Sequence, residues 1–485
     1  MKKILNIFCF CIICTHSIFA SEKDIYYGTK GLEYKFDSKW KVAWVMGRGT
    51  ARGTNIIIPQ MVRYNDEDYK VIQINQYAFY KDIKLKSIIL PSELHNIGPC
   101  AFDSCVNLTN CILPDRIEYI NSYAFHNCSK LTTINLPDSC VCSEGAFEGT
   151  GITTPLFNKV AFLYMPPTFK GHYEILEGIR YVLSGAFKNC VHLSSIKIPQ
   201  SVITIGDGAF LNCSNLVEVI VPNDSIQWFG ESVFMDCTAL QTVRLPEGLS
   251  EIPAGSFLGC KKLNKVNIPR SITSIGNYAF MDCHQLHNIT IPEGVTRIGV
   301  WAFSDNYNLN QIKLPNSVEY VGEGAFYQCS MFTEPVFNDK IFAYMPASYQ
   351  GGYKVKEGIR EIAVYAFSEC IDLTSLTVPN SVEKMQMCAL ENRGLTQPVY
   401  NQHIFAFMPE DYKGAYSIPY GIKKIESNAF YNCKLLTSIT FPESVKEICS
   451  KAFENCYSLR DIIIPNSVDS IAEDAFPSSC RIIRK

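Results

Sequence analysis

The sequence lacks the features that mark most enzymes and nucleic-acid-binding proteins. Its 44 basic and 47 acidic residues give a formal net charge of −3. They form no long run of one sign, which disfavours nucleic acid and anionic membranes as partners. Neither H-E-x-x-H nor G-x-S-x-G occurs, and there is no G-x-x-x-x-G-K-[ST] phosphate loop. We therefore predict that the protein is not an enzyme and carries no cofactor or metal.

Long apolar runs are also missing, apart from one near the N-terminus. Residues 4–13 are apolar except for Asn6, follow Met1-Lys2-Lys3 and precede the small residue Ala20. This order is typical of a signal peptide, so we predict that residues 1–20 direct export to the medium or the cell surface. Ile18 is larger than the residue usual three positions before a cleavage site, which leaves an uncleaved anchor as the alternative. No later segment approaches the ~20 apolar residues of a membrane span.

An Ala-Phe pair or a close variant recurs at sixteen anchor positions. Twelve of the fifteen intervals between anchors are 22 to 24 residues long, and three are longer. A fixed period of this length indicates a solenoid in which each repeat forms one turn. The anchors are Phe79, Phe102, Phe125, Phe147, Phe187, Phe210, Phe234, Phe257, Phe280, Phe303, Phe326, Phe367, Leu390, Phe430, Phe453 and Phe476.

One complete repeat, Leu263–Cys283, shows the order L-x-x-[IV]-x-[IL]-P, then x-S-[IV]-x-x-I-G, then x-x-A-F-x-x-C. The alternation within 266–268 predicts a short strand with one buried face. Pro269 ends this strand because proline cannot donate to a ladder. We expect Gly276 to permit a tight bend and Phe280 to point inward. A single repeat cannot enclose its own apolar face, so the repeats must stack.

These residues resemble the BspA-like leucine-rich repeats, whose consensus is I-P-x-S-V-x-x-I-G-x-x-A-F-x-x-C-x-x-L. The resemblance covers about Val71 to Phe476. It implies a β-rich leucine-rich-repeat solenoid, right-handed and curved, with about sixteen repeats, in a secreted or cell-surface protein. Some members of the family are adhesins for host matrix proteins such as fibronectin or fibrinogen. The resemblance thus implies adhesion to a host or matrix protein or glycan. The alternative is a structural or scaffolding component of the cell envelope without a host ligand.

Four segments depart from the repeat. Residues 21–70 contain short alternating segments, which predict a small N-terminal β cap on a solenoid over residues 71–485. The three long intervals share the order P-x-[FY]-N followed by F-x-[YF]-M-P. We predict three hairpin-like inserts, near residues 150–178, 330–358 and 394–421.

The 21 cysteines follow the repeat, because eleven of them stand three residues after an anchor. A fixed place in the repeat predicts a core position, where a free thiol packs as a small apolar side chain. The cysteines outside this ladder are better candidates for a disulfide. Cys140 and Cys142 have no matching second pair that would complete a metal site.

Two features supply candidate ligand-binding residues. The outward positions of the repeat strands form a row whose middle is mildly basic and rich in amides, and we predict that this row contacts a protein or glycan. The residues are Lys197, Arg244, Lys265, Asn267 and Lys313. The aromatic residues of the inserts either pack on the solenoid or make exposed ligand contacts, since aromatic residues are enriched in interfaces. They are Tyr164, Tyr344 and Phe407.

Overall fold

The computed structural model describes residues 26–27, 31–138, 140–221, 226–386, 388–390 and 394–485. The chain divides into two compact units, one up to Pro166 and one from Pro167 to Lys485. In the described ranges the chain forms strands and turns but no helices, and thus no helix there could cross a membrane. The predicted signal peptide, residues 1–20, lies outside the described residues.

The first unit begins with the β cap expected from the sequence. Its strands are β1 (Tyr26–Tyr27), β2 (Glu33–Asp37), β3 (Val42–Gly47), β5 (Met61–Tyr64) and β6 (Glu67–Ile74). β2 and β3 form an antiparallel hairpin, and β3 runs parallel to β6. Because β6 extends across residue 70, the cap and the first repeat share one strand.

Most repeats contribute two short strands that stack on those of neighbouring repeats into two parallel ladders. We call them the front ladder, which follows the L-x-x segment, and the back ladder, which precedes the glycine of the repeat. In the first unit the front ladder contains β4 (Asn55–Ile57), β7 (Ser87–Ile89) and β9 (Asn110–Ile112). Its back ladder contains the end of β6, then β8 (Asn96–Ile97), β10 (Tyr119–Ile120) and β11 (Val141–Cys142).

The second unit also contains a front ladder and a back ladder. The front ladder contains β14 (Gly171–Glu174), β16 (Leu193–Lys197), β18 (Glu218–Ile220), β20 (Thr242–Arg244), β22 (Lys265–Asn267), β24 (Asn288–Thr290), β26 (Gln311–Lys313), β30 (Gly351–Lys354), β32 (Leu373–Thr377), β36 (Lys413–Ser417), β38 (Leu435–Thr440), β40 (Asp461–Ile464) and β42 (Arg481–Arg484). The back ladder contains β15 (Tyr181–Val182), β17 (Thr204–Ile205), β19 (Trp228–Phe229), β21 (Glu251–Ile252), β23 (Ser274–Ile275), β25 (Arg297–Ile298), β27 (Tyr320–Val321), β31 (Glu361–Ile362), β33 (Lys384–Met385), β37 (Lys424–Ile425), β39 (Glu447–Ile448) and β41 (Ser470–Ile471). A back-ladder strand precedes each of the sixteen anchors, which confirms the predicted repeat solenoid.

The three long intervals form antiparallel hairpins, as the sequence predicts. They are β12 (Leu156–Phe157) with β13 (Ala161–Tyr164), β28 (Val336–Phe337) with β29 (Ile341–Tyr344), and β34 (Val399–Tyr400) with β35 (Ile404–Phe407). A buried asparagine holds each hairpin in place. In the second hairpin the side-chain amide of Asn338 donates to the carbonyl oxygens of Pro315 and Val318, at 2.9 and 3.0 Å. Its own oxygen accepts the backbone amide of Ile341 at 2.8 Å, and this closes the hairpin turn.

The turn around each anchor connects one repeat to the next through the backbone. Around Phe280, the residues Tyr278 and Asp282 have φ angles of 58° and 62°, in the left-handed region. These two left-handed residues flank Phe280, whose φ is not positive. As a result the backbone amides of all three residues point towards the next repeat, where the amide of Phe280 donates to the carbonyl oxygen of Ala302 at 2.8 Å. Asparagine, aspartate and glycine are frequent at the second left-handed position because they tolerate it best.

The anchor rings form a stack through the core. In the second unit the rings from Phe187 to Phe326 lie with neighbouring centroids 5.0 to 5.7 Å apart. Phe342 and Phe405, from the inserts, continue this packing against Phe367 and Phe430, at 4.7 and 4.8 Å. Burying the side chain of each inward-facing phenylalanine stabilises the fold by roughly 1.5 to 3 kcal/mol, so the stack accounts for much of the stability of the core.

The cysteine ladder lies in the core, as predicted. In the described part of the chain its thiols are buried, and none of them forms a disulfide. Most of them also donate a hydrogen bond to the anchor carbonyl of the preceding repeat, as Cys283 does to Phe257 at 3.2 Å, whereas Cys370 donates to its own anchor Phe367 at 3.0 Å. Burial raises the pKa of the Cys128 thiol to about 12. The sulfur atoms of Cys140 and Cys142 lie 3.9 Å apart without a disulfide.

Asn306 replaces cysteine at one ladder position and takes over its role as a donor. Its side-chain amide donates to the carbonyl oxygens of Phe280 and Phe303, at 2.8 and 2.7 Å. Its side-chain oxygen is buried and has no hydrogen-bond partner in the part of the chain that the structure describes. A buried acceptor without a donor costs free energy, so this position is a weak point of the ladder.

We expect Asn306→Cys to stabilise the protein by about 1 kcal/mol, because it removes the unpaired acceptor and keeps one donor. The measurement is the midpoint of urea unfolding followed by circular dichroism. Asn306→Ala, which removes acceptor and donor together, is the control and should be less stable than Asn306→Cys. A midpoint for Asn306→Cys at or below that of wild type would contradict this account of the ladder.

The glycine of the repeat has a different role from the one expected. Gly276 does not adopt a positive φ, so the expectation of a tight bend is wrong. A Cβ atom at Gly276 would lie 2.6 Å from the backbone nitrogen of Ala254 in the preceding repeat. The position therefore requires glycine because two backbones approach closely there.

Gly276→Ala should destabilise the protein by about 1 to 3 kcal/mol, since the added methyl group must push two repeats apart. Gly248 serves as the control, because a Cβ atom there would meet nothing nearer than 3.9 Å. Thermal unfolding of both variants checks the prediction, and equal melting temperatures would show that the close approach does not matter.

Candidate functional site

The outward positions of the front ladder in the second unit form a continuous surface. The strands β16, β18, β20 and β22 pair in parallel register, which places Lys197, Ile220, Arg244 and Asn267 side by side. All four side chains are exposed. The residues before them on each strand face inward, as the strict alternation of a half-buried strand requires.

A second exposed row lies beside the first and brings in Lys265. The register aligns Ser195, Glu218, Thr242 and Lys265 on the same four strands. Lys265 is two residues from Asn267 on β22, and Arg244 lies directly opposite Asn267 on β20. Adjacent strands are about 4.8 Å apart, so Arg244, Lys265 and Asn267 form one cluster.

The charge on this surface is more mixed than the sequence predicts. The ammonium of Lys197 lies 3.2 Å from a carboxylate oxygen of Glu174, its neighbour in the ladder. The hydrogen bond from Lys197 lowers the pKa of the Glu174 carboxyl, so this pair stays charged and largely neutralises itself. Glu218 adds another negative charge. Arg244 and Lys265 have no ion-pair partner among the described residues, and they supply the positive charge.

Lys313 lies in the next sheet. β24 and β26 pair with each other and place Lys313 opposite Thr290, but neither strand is hydrogen-bonded to β22. About 14 Å, or three strand spacings, separate Lys313 from Arg244 along the ladder. The structure therefore brings together three of the five predicted strand residues and leaves Lys197 and Lys313 at the margins.

The surface contains a groove that a partner could occupy. A groove of about 480 Å³ is lined by Lys197, Ile220 and Arg244, with Gln200 and Glu218 at its sides. Ile220 is 59% exposed in the middle of this groove. An exposed aliphatic side chain beside an arginine is a combination suited to a protein ligand with acidic and apolar groups.

The insert aromatics do not form an exposed surface. Tyr164 and Tyr344 are 8% and 2% exposed, so their interpretation as exposed ligand contacts is wrong. Phe407 is half-buried and packs against the core of the second unit. The hydroxyl of Tyr344 donates to a carboxylate oxygen of Glu369 at 2.7 Å, and burial raises the pKa of Tyr344. The ring of Tyr344 packs against Phe332 with centroids 5.7 Å apart, and that of Tyr164 lies 6.4 Å from the anchor Phe147.

A half-exposed aromatic cluster was missed by the sequence reasoning. The ring centroid of Trp301 lies 5.4 Å from that of Tyr327 and 6.1 Å from that of Tyr365. Trp301 and Tyr365 occupy the left-handed position before the anchor. No residue type dominates that position of the repeat, and so the sequence pattern carries no signal for the cluster.

Within the described residues, no group of three or more histidine, cysteine, aspartate or glutamate side chains is placed to hold a metal ion. The titratable groups of the front ladder are spread along a surface and do not converge on one point. Such an arrangement suits recognition of an extended partner.

The two stacked ladders with inward apolar rows define the class of protein: a leucine-rich-repeat solenoid. The chain belongs to the family of the BspA type leucine rich repeat region, whose sequence model matches residues 65–165, 158–286, 250–347, 343–409 and 405–484. The chain is accordingly a repeat scaffold suited to binding proteins, as leucine-rich-repeat proteins generally do. Proteins of this family are typically secreted or located at the cell surface.

Solved structures of leucine-rich-repeat proteins are similar to this chain. A leucine-rich repeat protein from Bacteroides ovatus is 22% identical, and the match covers 94% of this chain and 98% of that one, with a TM-score of 0.39. A leucine rich cell surface protein from Faecalibacterium prausnitzii is 23% identical, with 90% and 94% covered and a TM-score of 0.35. No curated protein sequence matches the chain.

Tyr344→Phe tests whether the insert tyrosine is a structural residue. Glu369 would keep only the backbone amide of Gln328 as a donor, at 3.0 Å, and we expect a loss of about 1 to 2 kcal/mol in unfolding free energy. Tyr349→Phe is the matched control, because the Tyr349 hydroxyl donates to the Gly352 carbonyl in an exposed setting. Urea unfolding of both variants gives the comparison, and equal stabilities would remove the structural role of Tyr344.

Proposed function

We propose that the protein is an exported adhesion protein that binds a host or matrix macromolecule through the front ladder of its second unit. The observation that carries the proposal is the cluster of Arg244, Lys265 and Asn267 beside the exposed Ile220. These side chains project from adjacent strands of one sheet, so the register of the strands fixes their backbone positions before a partner binds. Preorganised groups lose little conformational entropy on binding.

The chemistry of this surface favours a protein partner with acidic and apolar groups. Arg244 and Lys265 supply cationic donors, and Asn267 adds an amide that both donates and accepts. The Lys197–Glu174 pair on one side offers little net charge. Binding should thus depend on salt, because exposed charges are screened over about 10 Å at 0.1 M ionic strength.

Export supports the same function. The signal-peptide pattern over residues 1–20 predicts passage out of the cytoplasm, and a protein outside the cell can reach host or matrix ligands. The long repeat array gives a large area for a macromolecule. We infer that the protein acts outside the cell, in the medium or at the cell surface.

The test is binding of the purified protein to an array of host matrix proteins and glycans at 50 and 500 mM salt. We expect a saturable protein ligand whose affinity falls with salt and falls at least tenfold in the Arg244→Glu, Lys265→Glu double variant. The control is the Arg360→Glu, Lys423→Glu double variant, which makes the same charge change at exposed positions outside the front ladder. It should bind like wild type.

Equal loss in both double variants would mean that net charge, and not the front ladder, controls binding. A complete absence of ligands, together with concentration-dependent self-association, would instead favour the role of a structural component of the cell envelope.

A further inference from the structure

A cavity of about 360 Å³ lies beside the third insert. One wall comes from residues 385–386 and 388–390 of the preceding repeat, and the other from the insert strand and residues 426–428 and 431–432. Met385 and Leu390 make part of the lining apolar, and Phe407 and Tyr431 contribute aromatic rings. The carboxylates of Glu410 and Glu426 face the same space. This cavity is remote in sequence from the front-ladder cluster and is a separate site.

The two carboxylates are specific to the third insert. The shared pattern of the inserts aligns Glu426 with Ala363 in the second insert and Leu183 in the first. It aligns Glu410 with Ala347 and Pro167. Two apolar positions have therefore become acidic in one insert alone, although the hairpin around them is unchanged. Hairpin formation does not require these charges.

Glu426 stands four residues before its anchor, a position that is glycine in six of the thirteen repeats that do not follow an insert. At Gly299, for example, a Cβ atom would lie 2.5 Å from the backbone of the preceding repeat. After an insert, a hairpin strand replaces that preceding turn: β35 lies next to β37. The replacement makes room for a side chain, and the third insert uses it for a glutamate.

Glu426 is buried, and one of its two carboxylate oxygens has no hydrogen-bond partner among the described residues. Its side chain is 7% exposed, and one oxygen lies 3.2 Å from the ammonium of Lys424. The other oxygen, Oε1, is buried without a hydrogen-bond partner among the described residues, and so is the side-chain oxygen of Asn428. Burial raises the pKa of the Glu426 carboxyl, against the opposing effect of Lys424. Two acceptors at one cavity thus lack a donor.

We propose that this cavity binds a protonated alkylamine. An ammonium group has three N–H donors and no acceptor, which matches the unpaired oxygens of Glu426 and Asn428 with Glu410 nearby. The rings of Phe407 and Tyr431 suit a cation, and Met385 and Leu390 suit the alkyl chain. Two kinds of ligand carry such an ammonium group on an alkyl chain: a free amine and the lysine side chain of a partner protein.

The test uses n-butylammonium as the probe and isothermal titration calorimetry of the purified protein as the measurement. We expect saturable binding with one site per chain, and at least tenfold weaker binding in Glu426→Gln, which keeps the shape of the side chain but not its charge. The matched control is Glu369→Gln, two residues after the anchor Phe367, where Tyr344 and Gln328 already donate to one carboxylate oxygen. It should bind as wild type does.

The neutral analogue 1-butanol should bind at least tenfold more weakly than n-butylammonium. Failure of wild type to bind n-butylammonium, equal binding by Glu426→Gln, or equal binding of 1-butanol would each overturn the proposal. Glu426→Gln leaves Lys424 without its carboxylate partner, so the melting curve of the variant is recorded beside that of wild type. Binding measured well below both melting transitions cannot be lost through unfolding.

A second probe, Nα-acetyl-lysine methylamide, distinguishes the two sources. Binding comparable to that of n-butylammonium assigns the site to a lysine side chain of a partner, whereas exclusion of the bulkier probe assigns it to a free amine. The Arg244→Glu, Lys265→Glu variant should keep the amine site intact. The amine site and the front-ladder function can therefore fail independently.

Discussion

The close spacing of successive repeats is the constraint on which the rest of the structure depends. Every repeat lies within one strand spacing, about 4.8 Å, of the next, so a side chain in the core must be compatible with its own equivalent above and below. Phenylalanine rings satisfy this requirement by stacking, with centroids such as those of Phe280 and Phe303 at 5.3 Å. Cysteine satisfies it by donating to the carbonyl of the preceding anchor. Glycine satisfies it where backbone meets backbone, as Gly276 does against Ala254.

The inserts are the places where this constraint is relaxed. A hairpin replaces the ordinary turn, and the position four residues before the anchor, which is glycine in six of the other repeats, carries a side chain after all three inserts. Leu183 and Ala363 use the space for apolar contacts, whereas Glu426 places a buried carboxylate there. Asn158, Asn338 and Asn401 make each hairpin a fixed part of the core. An insert can thus bring polar chemistry into a solenoid without disturbing the repeats around it.

The front ladder restricts the residue type at its inward positions but not at its outward positions. Its inward residues are restricted to aliphatic side chains by stacking, but its outward residues meet only solvent, and they range from Ile220 to Arg244 to Asn267. Binding specificity in such a scaffold lies in these variable positions. Charges on neighbouring strands can also neutralise each other, as those of Glu174 and Lys197 do in register. The effective surface is therefore smaller than the row of cations in the sequence.

The sequence by itself determined the solenoid, the sixteen repeats, the N-terminal cap, the three hairpins and the outward positions of the front ladder. All of these follow from a periodic pattern, since stacking forces equivalent positions into equivalent environments. It also placed the cysteine ladder in the core. Only the tertiary structure decided that Tyr164 and Tyr344 are buried, that Gly276 is required by close approach and not by its φ angle, and that Glu174 pairs with Lys197. The cavity at Glu426 likewise appeared only in three dimensions. These features depend on which residues of neighbouring repeats face each other across a gap, and the pattern of a single repeat does not contain that information.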